Sequence, residues 1–279
     1  MPFQVGTEVA AGLKIGTERV GGVKIGTDVV FRTLPFGNLG RLPFQEGVHQ
    51  FVVTGLGVAG DGHLYAWNNE TNARFKGLWR INPRNPSDTS GDFGRVSGTF
   101  PSGGGRDISH MTLLDSTFNA RIDGNLLVFD RDSRAFWRFD PSDLSNSGRL
   151  HSIDTNVDTL TIAATDLFYF SQEEAVWIWN TSRGTSINPR NQSRLLGIWV
   201  AAEWYDGDLI VVQTNPQPLL KRVDVNNARS EVSPYGSLGN LPSNVIVTDM
   251  AFHEGNLIVT NSSDNSLWHI DPTNPGRTG

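Results

Sequence analysis

Leu78-Trp79-Arg80-Ile81-Asn82-Pro83 returns as Phe136-Trp137-Arg138-Phe139-Asp140-Pro141 and again as Leu267-Trp268-His269-Ile270-Asp271-Pro272. Weaker copies are Val176-Trp177-Ile178-Trp179-Asn180 and Leu220-Lys221-Arg222-Val223-Asp224. Each is a short alternating strand that runs into an Asn or Asp turn. In such a turn the amide or carboxylate bonds its own backbone, and a following Pro fixes φ. The Trp slot falls at 79, 137, 177, 221 (held by Lys) and 268. That period of about 47 residues is the length of one four-stranded propeller blade. Five copies predict five blades.

Upstream of the Trp strands lie hairpin signals. Asp61-Gly62, Asp123-Gly124, Asp206-Gly207 and Glu254-Gly255 each precede an apolar strand, such as Leu126-Leu127-Val128 or Leu257-Ile258-Val259. Acid-Gly between alternating strands marks a tight β-hairpin. The third copy lacks the Gly, and Asp166-Leu167-Phe168-Tyr169-Phe170 marks its strand.

A solenoid would share this period but would leave open sheet edges and need capping repeats. Closure separates the two. The last copy stops at Gly276-Arg277-Thr278-Gly279, before a fourth strand. The fourth copy carries that strand as Tyr235-Gly236-Ser237-Leu238-Gly239-Asn240-Leu241-Pro242. Its counterpart, Phe36-Gly37-Asn38-Leu39-Gly40-Arg41-Leu42-Pro43, stands ahead of the first copy and is identical at five of eight positions. Residues 36–45 are therefore expected to pair with the last blade and close the ring. The fold class is all-β: a five-bladed propeller over 36–279, preceded by a short arm over 1–35. In that frame Trp79, Trp137, Trp177 and Trp268 are blade-core markers rather than ligand-stacking groups.

The arm has its own repeat. Val5-Gly6-Thr7-Glu8-Val9, Ile15-Gly16-Thr17-Glu18-Arg19-Val20 and Ile25-Gly26-Thr27-Asp28-Val29-Val30 start ten residues apart. Each reads as strand, Gly turn, strand. About 30 residues are too few for a core of their own. The arm either packs on the main domain as a β-extension or attaches the protein to something larger. Its regularity favours attachment, with Val5, Leu13, Ile15, Val23, Ile25 and Val30 as the apolar contacts.

Composition excludes several classes. The net charge of -6 with no basic cluster argues against nucleic acid, which needs Lys and Arg to neutralise phosphates. No stretch approaches the roughly 18 apolar residues of a membrane span. With no Cys among 279 residues, disulfides, thiolate-bound zinc and thiol catalysis are out. Met1-Pro2-Phe3-Gln4 does not read as a signal segment, so synthesis in a bacterial cytoplasm is expected.

No motif names a reaction. Asp130-Arg131-Asp132-Ser133 opens like a calcium loop, but Ala135 and Pro141 stand where Gly and Glu are required. Ser102-Gly103-Gly104-Gly105 precedes no helical pattern and reads as an inter-blade loop. The six His show no metal-ligand spacing, and neither a nucleophile elbow nor a dinucleotide fingerprint is present. On the first strands His110, Glu203, Asp249 and His253 carry catalysis-grade groups, with His110-Met111 aligned on Asp249-Met250. A glycosidase would need two carboxylates across a cleft. No catalytic, cofactor or metal residue is assigned, and the protein is expected not to be an enzyme.

Leu78 to Pro86, followed by Ser87-Asp88-Thr89-Ser90-Gly91-Asp92-Phe93-Gly94 and Gly98-Thr99-Phe100-Pro101-Ser102-Gly103, resembles a propeller repeat of tailed-bacteriophage and bacterial proteins. The ten-residue Gly-Thr units are similar to short repeats of phage tail proteins. The resemblance implies a virion component, a tail fibre or tail-tip protein, and transfers no catalytic residue. Its expected partners are other tail proteins, further copies of itself within the particle, and a host-surface glycan or protein. A lectin-like propeller is the alternative, with Trp67, Trp199, Trp204 and Tyr235 as the ligand face. A polysaccharide-acting propeller hydrolase comes behind it.

Overall fold

The computed structural model describes residues 14–15, 18–19, 22–25, 28–32, 34–43, 51–70, 75–98, 107–113, 124–153, 157–163, 166–171, 175–180, 185–187, 199–205, 208–213, 218–223 and 237–277. For 14–32 and 162–199 the description is of the backbone. In the arm, β1 (Lys14–Ile15) pairs with β2 (Glu18–Arg19), and β3 (Gly22–Ile25) with β4 (Asp28–Arg32). Gly16-Thr17 and Gly26-Thr27 fall between the paired strands, where the repeat places a turn. Ile15, Val23, Ile25 and Val30 lie on these strands, whereas Val5 and Leu13 lie outside the described residues.

The rest of the described chain forms five four-stranded antiparallel sheets in a propeller-like arrangement. β5 (Gly37–Arg41) comes first in sequence. The first sheet is β6 (Val53–Val58), β7 (Leu64–Asn68), β8 (Gly77–Ile81) and β9 (Gly94–Arg95). The second is β10 (Ile108–Leu113), β11 (Leu126–Asp130), β12 (Ala135–Phe139) and β13 (Gly148–Ser152). The third is β14 (Val157–Ala163), β15 (Asp166–Ser171), β16 (Ala175–Asn180) and β17 (Thr185–Ile187). The fourth is β18 (Trp199–Tyr205), β19 (Asp208–Gln213), β20 (Leu219–Val223) and β21 (Ser237–Asn240). The fifth is β22 (Val247–His253), β23 (Asn256–Asn261), β24 (Ser266–Ile270) and, returning from the chain start, β5.

That return is the expected closure. Leu267 pairs with Gly40 and Trp268 with Asn38. Gly40 and Gly239 both take left-handed φ, at +125° and +133°, and Pro86 and Pro275 of the following sheets lie against them. The two Gly-bearing strands are thus the same element in different sheets: β21 follows β20 within its own sheet, whereas β5 reaches the fifth sheet from the start of the chain. The first strands also neighbour one another in sequence, β6 by β10, β10 by β14, β14 by β18 and β18 by β22, and β22 returns to β6.

Register confirms the repeat slot. Trp79, Trp137, Trp177, Lys221 and Trp268 face Ala66, Val128, Tyr169, Val211 and Val259 on their second strands. Trp79, Trp137 and Trp268 are 7%, 5% and 5% exposed, and each packs into a cluster shared with the preceding sheet. Each indole N–H finds an acceptor: the Phe75 carbonyl, Ser133 Oγ and Ser266 Oγ. The side chain of Trp177 lies outside those described.

The turn chemistry follows the sequence. Ser142 N–H donates to Asp140 Oδ1 at 2.9 Å, Thr273 N–H to Asp271 Oδ1 at 2.9 Å, and Arg84 N–H to Asn82 Oδ1 at 3.0 Å. Burial alone would raise the Asp140 and Asp271 carboxyls, yet hydrogen bonds from Ser142 and Thr273 outweigh it and hold both below the usual range. Glu254 and Gly255 both have positive φ, +48° and +76°, as a two-residue type I′ hairpin requires.

One close approach has a sharp consequence. Gly60 N–H donates to the Gly124 carbonyl at 2.9 Å, joining the hairpins of the first two sheets. A Cβ on Gly60 would run into the Gly124 Cα. Because backbone meets backbone, no rotamer relieves it. Gly60→Ala is expected to destabilise by about 2 kcal/mol, within the range for overpacking, with Gly62→Ser as a control that meets open space but carries its own strain at φ +79°. Chemical denaturation of both proteins checks this.

Trp67 is corrected here. It is 2% exposed and packs against Phe139, ring centroids 5.4 Å apart, between the first two sheets. An indole sealed in that seam has no face to offer a sugar. Tyr235 lies outside the described residues, as does the Trp199 side chain.

Candidate functional site

The axis is where the chemistry-bearing first strands converge. Every first strand carries a register shift near its start, at Val53/Gly55, Ser109/Met111, Val157/Thr159, Trp199/Ala201 and Val247/Met250. Beyond the shift the strands run level. Leu56, Met111, Leu160, Ala202 and Met250 pair with the second-strand residues that face the Trp slot, so they are equivalent. His110 and Asp249 stand immediately before two of them, as their alignment in sequence anticipates.

Asp249 is 1% exposed. Its Oδ2 accepts the Leu56 amide at 2.7 Å and the Met111 amide at 3.3 Å. Its Oδ1 accepts the Met250 amide at 3.0 Å and lies 3.3 Å from His110 Nδ1. The three amides are the equivalent positions of the first, second and fifth sheets. First strands of a propeller have no neighbour on their inner side, so their inward amides need partners. One carboxylate supplies three of them and ties three sheets together. His110 adopts φ +57°, an uncommon conformation for a side chain of its size, and this lets it sit in the register shift beside Asp249.

One step along the strands lies a second level of equivalent positions: Gly57, Thr112, Thr161, Glu203 and Ala251. Glu203 is its one carboxyl and is partly exposed. Burial, and secondarily the charge of Asp249, push its pKa up to about 8, and the Trp204 amide 3.3 Å away opposes this only in part. Glu203 therefore holds its proton at neutral pH. Thr161, in the adjoining first strand, is fully buried, and its hydroxyl has no partner among the described residues.

The sign of that shift sets a pH dependence. A carboxyl with a folded pKa above its unfolded value adds stability that is complete below about 4.5 and disappears as pH rises through about 8. Partial solvent access reduces the effect to about 2 kcal/mol. Glu203→Gln is expected to flatten the fall in Tm between those limits, leaving the mutant more stable than the parent above pH 8; thermal denaturation across the range measures it.

His253 acts elsewhere. Its Nε2 lies 3.0 Å from the Gly62 carbonyl, linking the hairpins of the fifth and first sheets. Burial holds its pKa below the ordinary value. Beside it is a cluster that no sequence motif announces. Tyr65 OH donates to Asp61 Oδ2 at 2.6 Å, and Arg80 Nε donates to Tyr65 Oη at 3.0 Å. Among the described residues no three His, Asp or Glu side chains are grouped to hold a metal ion.

The four first-strand groups thus divide into a clamp (Asp249 with His110), a protonated carboxyl (Glu203) and a hairpin tie (His253). Asp249 has its oxygens committed to donors and is poorly placed to attack. Trp204 is partly exposed, next to Glu203.

The sequence matches no family model and no curated protein. Solved structures share its shape at low identity. A chain of a nidogen/laminin complex aligns with TM-score 0.51 and 11% identity, covering 85% of this chain and 88% of that one. A structural genomics protein of unknown function from Bacteroides thetaiotaomicron aligns with TM-score 0.52 and 11% identity, over 77% of this chain and 57% of that one. The PQQ-bound aldose sugar dehydrogenase of Streptomyces coelicolor aligns at TM-score 0.46 and 13% identity, over 86% and 81%. Identities this low speak to architecture alone: the chain is an all-β protein of the propeller type.

Proposed function

We propose that the five sheets are the blades of one closed five-bladed propeller, and that it serves as the non-enzymatic recognition head of a phage tail protein, attached to the virion by the arm of residues 1–35. The observation that carries the non-enzymatic part is the state of Asp249: the most deeply placed carboxylate on the axis is consumed in holding three sheets together. Rigid sheets with variable loops suit surface recognition. The two separate strand pairs of the arm, β1 with β2 and β3 with β4, support attachment. The partners of this reading are other tail proteins and copies of this chain, with a host glycan or protein as receptor.

Deleting residues 1–33 is expected to leave the Tm of the propeller within about 2 °C and to remove the protein from purified particles. Normal incorporation of the truncated chain would defeat the anchor. A carbohydrate-binding head is the second reading, favoured by the partly exposed indole of Trp204; a glycan array probed with multivalent protein separates the two.

A further inference from the structure

The arm repeats in register as well as in sequence. In the first strand pair, Lys14 stands opposite Arg19 and Ile15 opposite Glu18. In the second, Lys24 stands opposite Val29, Ile25 opposite Asp28, Gly22 opposite Arg32 and Val23 opposite Phe31. Directly paired residues share one face of an antiparallel pair, and neighbours along a strand alternate between faces. The charges of the described arm residues therefore sort by sign. Lys14, Arg19, Lys24 and Arg32 fall on one face, with Gly22 and Val29. Glu18 and Asp28 fall on the other, with Ile15, Val23, Ile25 and Phe31. Each strand pair has a basic face and an acidic, apolar face, repeated at the ten-residue step.

Neither pair is complete. Among the described residues each is a sheet of two strands, and such a pair is marginal in water unless a third strand or another layer covers it. In β1–β2 the like charges of Lys14 and Arg19 also stand directly opposite, which is destabilising. The signs of the faces specify what covers them. An apolar face bearing carboxylates is complementary to a basic one, because Lys and Arg carry apolar stems as well as cationic heads. The arm itself carries both kinds of face. Stacking of its two pairs within one chain would still leave one face of each kind uncovered, and another copy of the arm presents the complement to both.

We propose that the arm is a self-association element, in which the acidic, apolar face of one copy receives the basic face of the next. The two faces differ, so the contact is heterologous and builds a ring or a stack rather than a two-fold dimer. Covering Ile15, Val23, Ile25 and Phe31 supplies the driving force, and charge sets partner and orientation. Association of the purified chain needs no other virion component, so it can fail while incorporation into particles holds.

The test measures the mass of the full chain in solution by light scattering after gel filtration. The parent is expected to exceed the mass of one chain. Lys14→Glu with Lys24→Glu cancels the basic face and should weaken association at least about tenfold. Lys14→Glu also sets an acid opposite Arg19, so the strand pair itself is not weakened. Glu18→Lys with Asp28→Lys reverses the other face and should have the same effect. Each double variant keeps the face that the other has lost. Mixed, the two should form a one-to-one complex joined by a single native contact. A monomeric parent, a double variant that assembles like the parent, or a mixture that does not combine would each overturn the proposal.

Discussion

Asp249→Ala is expected to cost about 4 kcal/mol of folding stability, the largest effect of any side-chain truncation on the axis. The reason is arithmetic of donors rather than loss of a charge. The carboxylate accepts the amides of Leu56, Met111 and Met250, which belong to three sheets. Alanine leaves all three buried with no acceptor, and each orphaned buried donor costs about 1–3 kcal/mol. Relaxation of the first strands and entry of water recover part of the sum. Asp249→Asn tests the same account from another side. It keeps one acceptor oxygen, which can still take the Leu56 and Met111 amides, but its NH2 must then face the Met250 amide, so about 1–3 kcal/mol should still be lost. The substitution also removes the charge that opposes Glu203 ionisation. The pH at which stability falls should therefore move down in Asp249→Asn. Unfolding by denaturant at several pH values reads both effects, and an Asp249→Ala protein as stable as the parent would show that the clamp carries no weight.

Much of the architecture was legible because it is repeated. The Trp slot, the acid-Gly hairpins and the Gly-x-Leu-Gly strand each recur, and repetition lets weak local signals reinforce one another. The pairing of Trp268 with Asn38 could be anticipated because a strand in excess at one end matched a deficit at the other. The axis was legible only as a list of residues. His110, Glu203, Asp249 and His253 were visible as polar groups on apolar strands, but their roles depend on which strand ends converge, and sequence spacing carries no such information. Asp249 bonds residues 193 and 138 positions away. Trp67 was misread for a related reason. It lies outside the Trp repeat, so nothing in the pattern marked it as core, yet its strand runs between two sheets and both faces of that strand are covered. The Asp61-Tyr65-Arg80 group was missed because two of its members read as turn and strand residues with separate duties.

Trp268→Ala is expected to cost about 3–5 kcal/mol, the range for emptying a buried aromatic site. Trp268 is 5% exposed and packs with Ile210, Val212, Leu220 and Leu241 of the fourth sheet. Its indole N–H donates to Ser266 Oγ at 2.9 Å, so truncation also strands a polar partner. The position matters beyond volume, because Trp268 is the residue that pairs with Asn38 of the closing strand. A cavity there loosens the one sheet assembled from both chain ends. The protein should then lose the closing strand before the other sheets unfold. Limited proteolysis should cut near residues 33–36 in Trp268→Ala at temperatures where the parent resists. The equivalent slot in the fourth sheet supplies the internal control. Lys221 holds it, partly exposed, and Lys221→Ala should cost less than about 1 kcal/mol. A large difference between the two truncations at one repeat position would show that the indole, not the slot, stabilises the ring. Equal costs would mean that the position is dictated by strand pairing alone, and the reading of the Trp repeat as the wedge between sheets would fail.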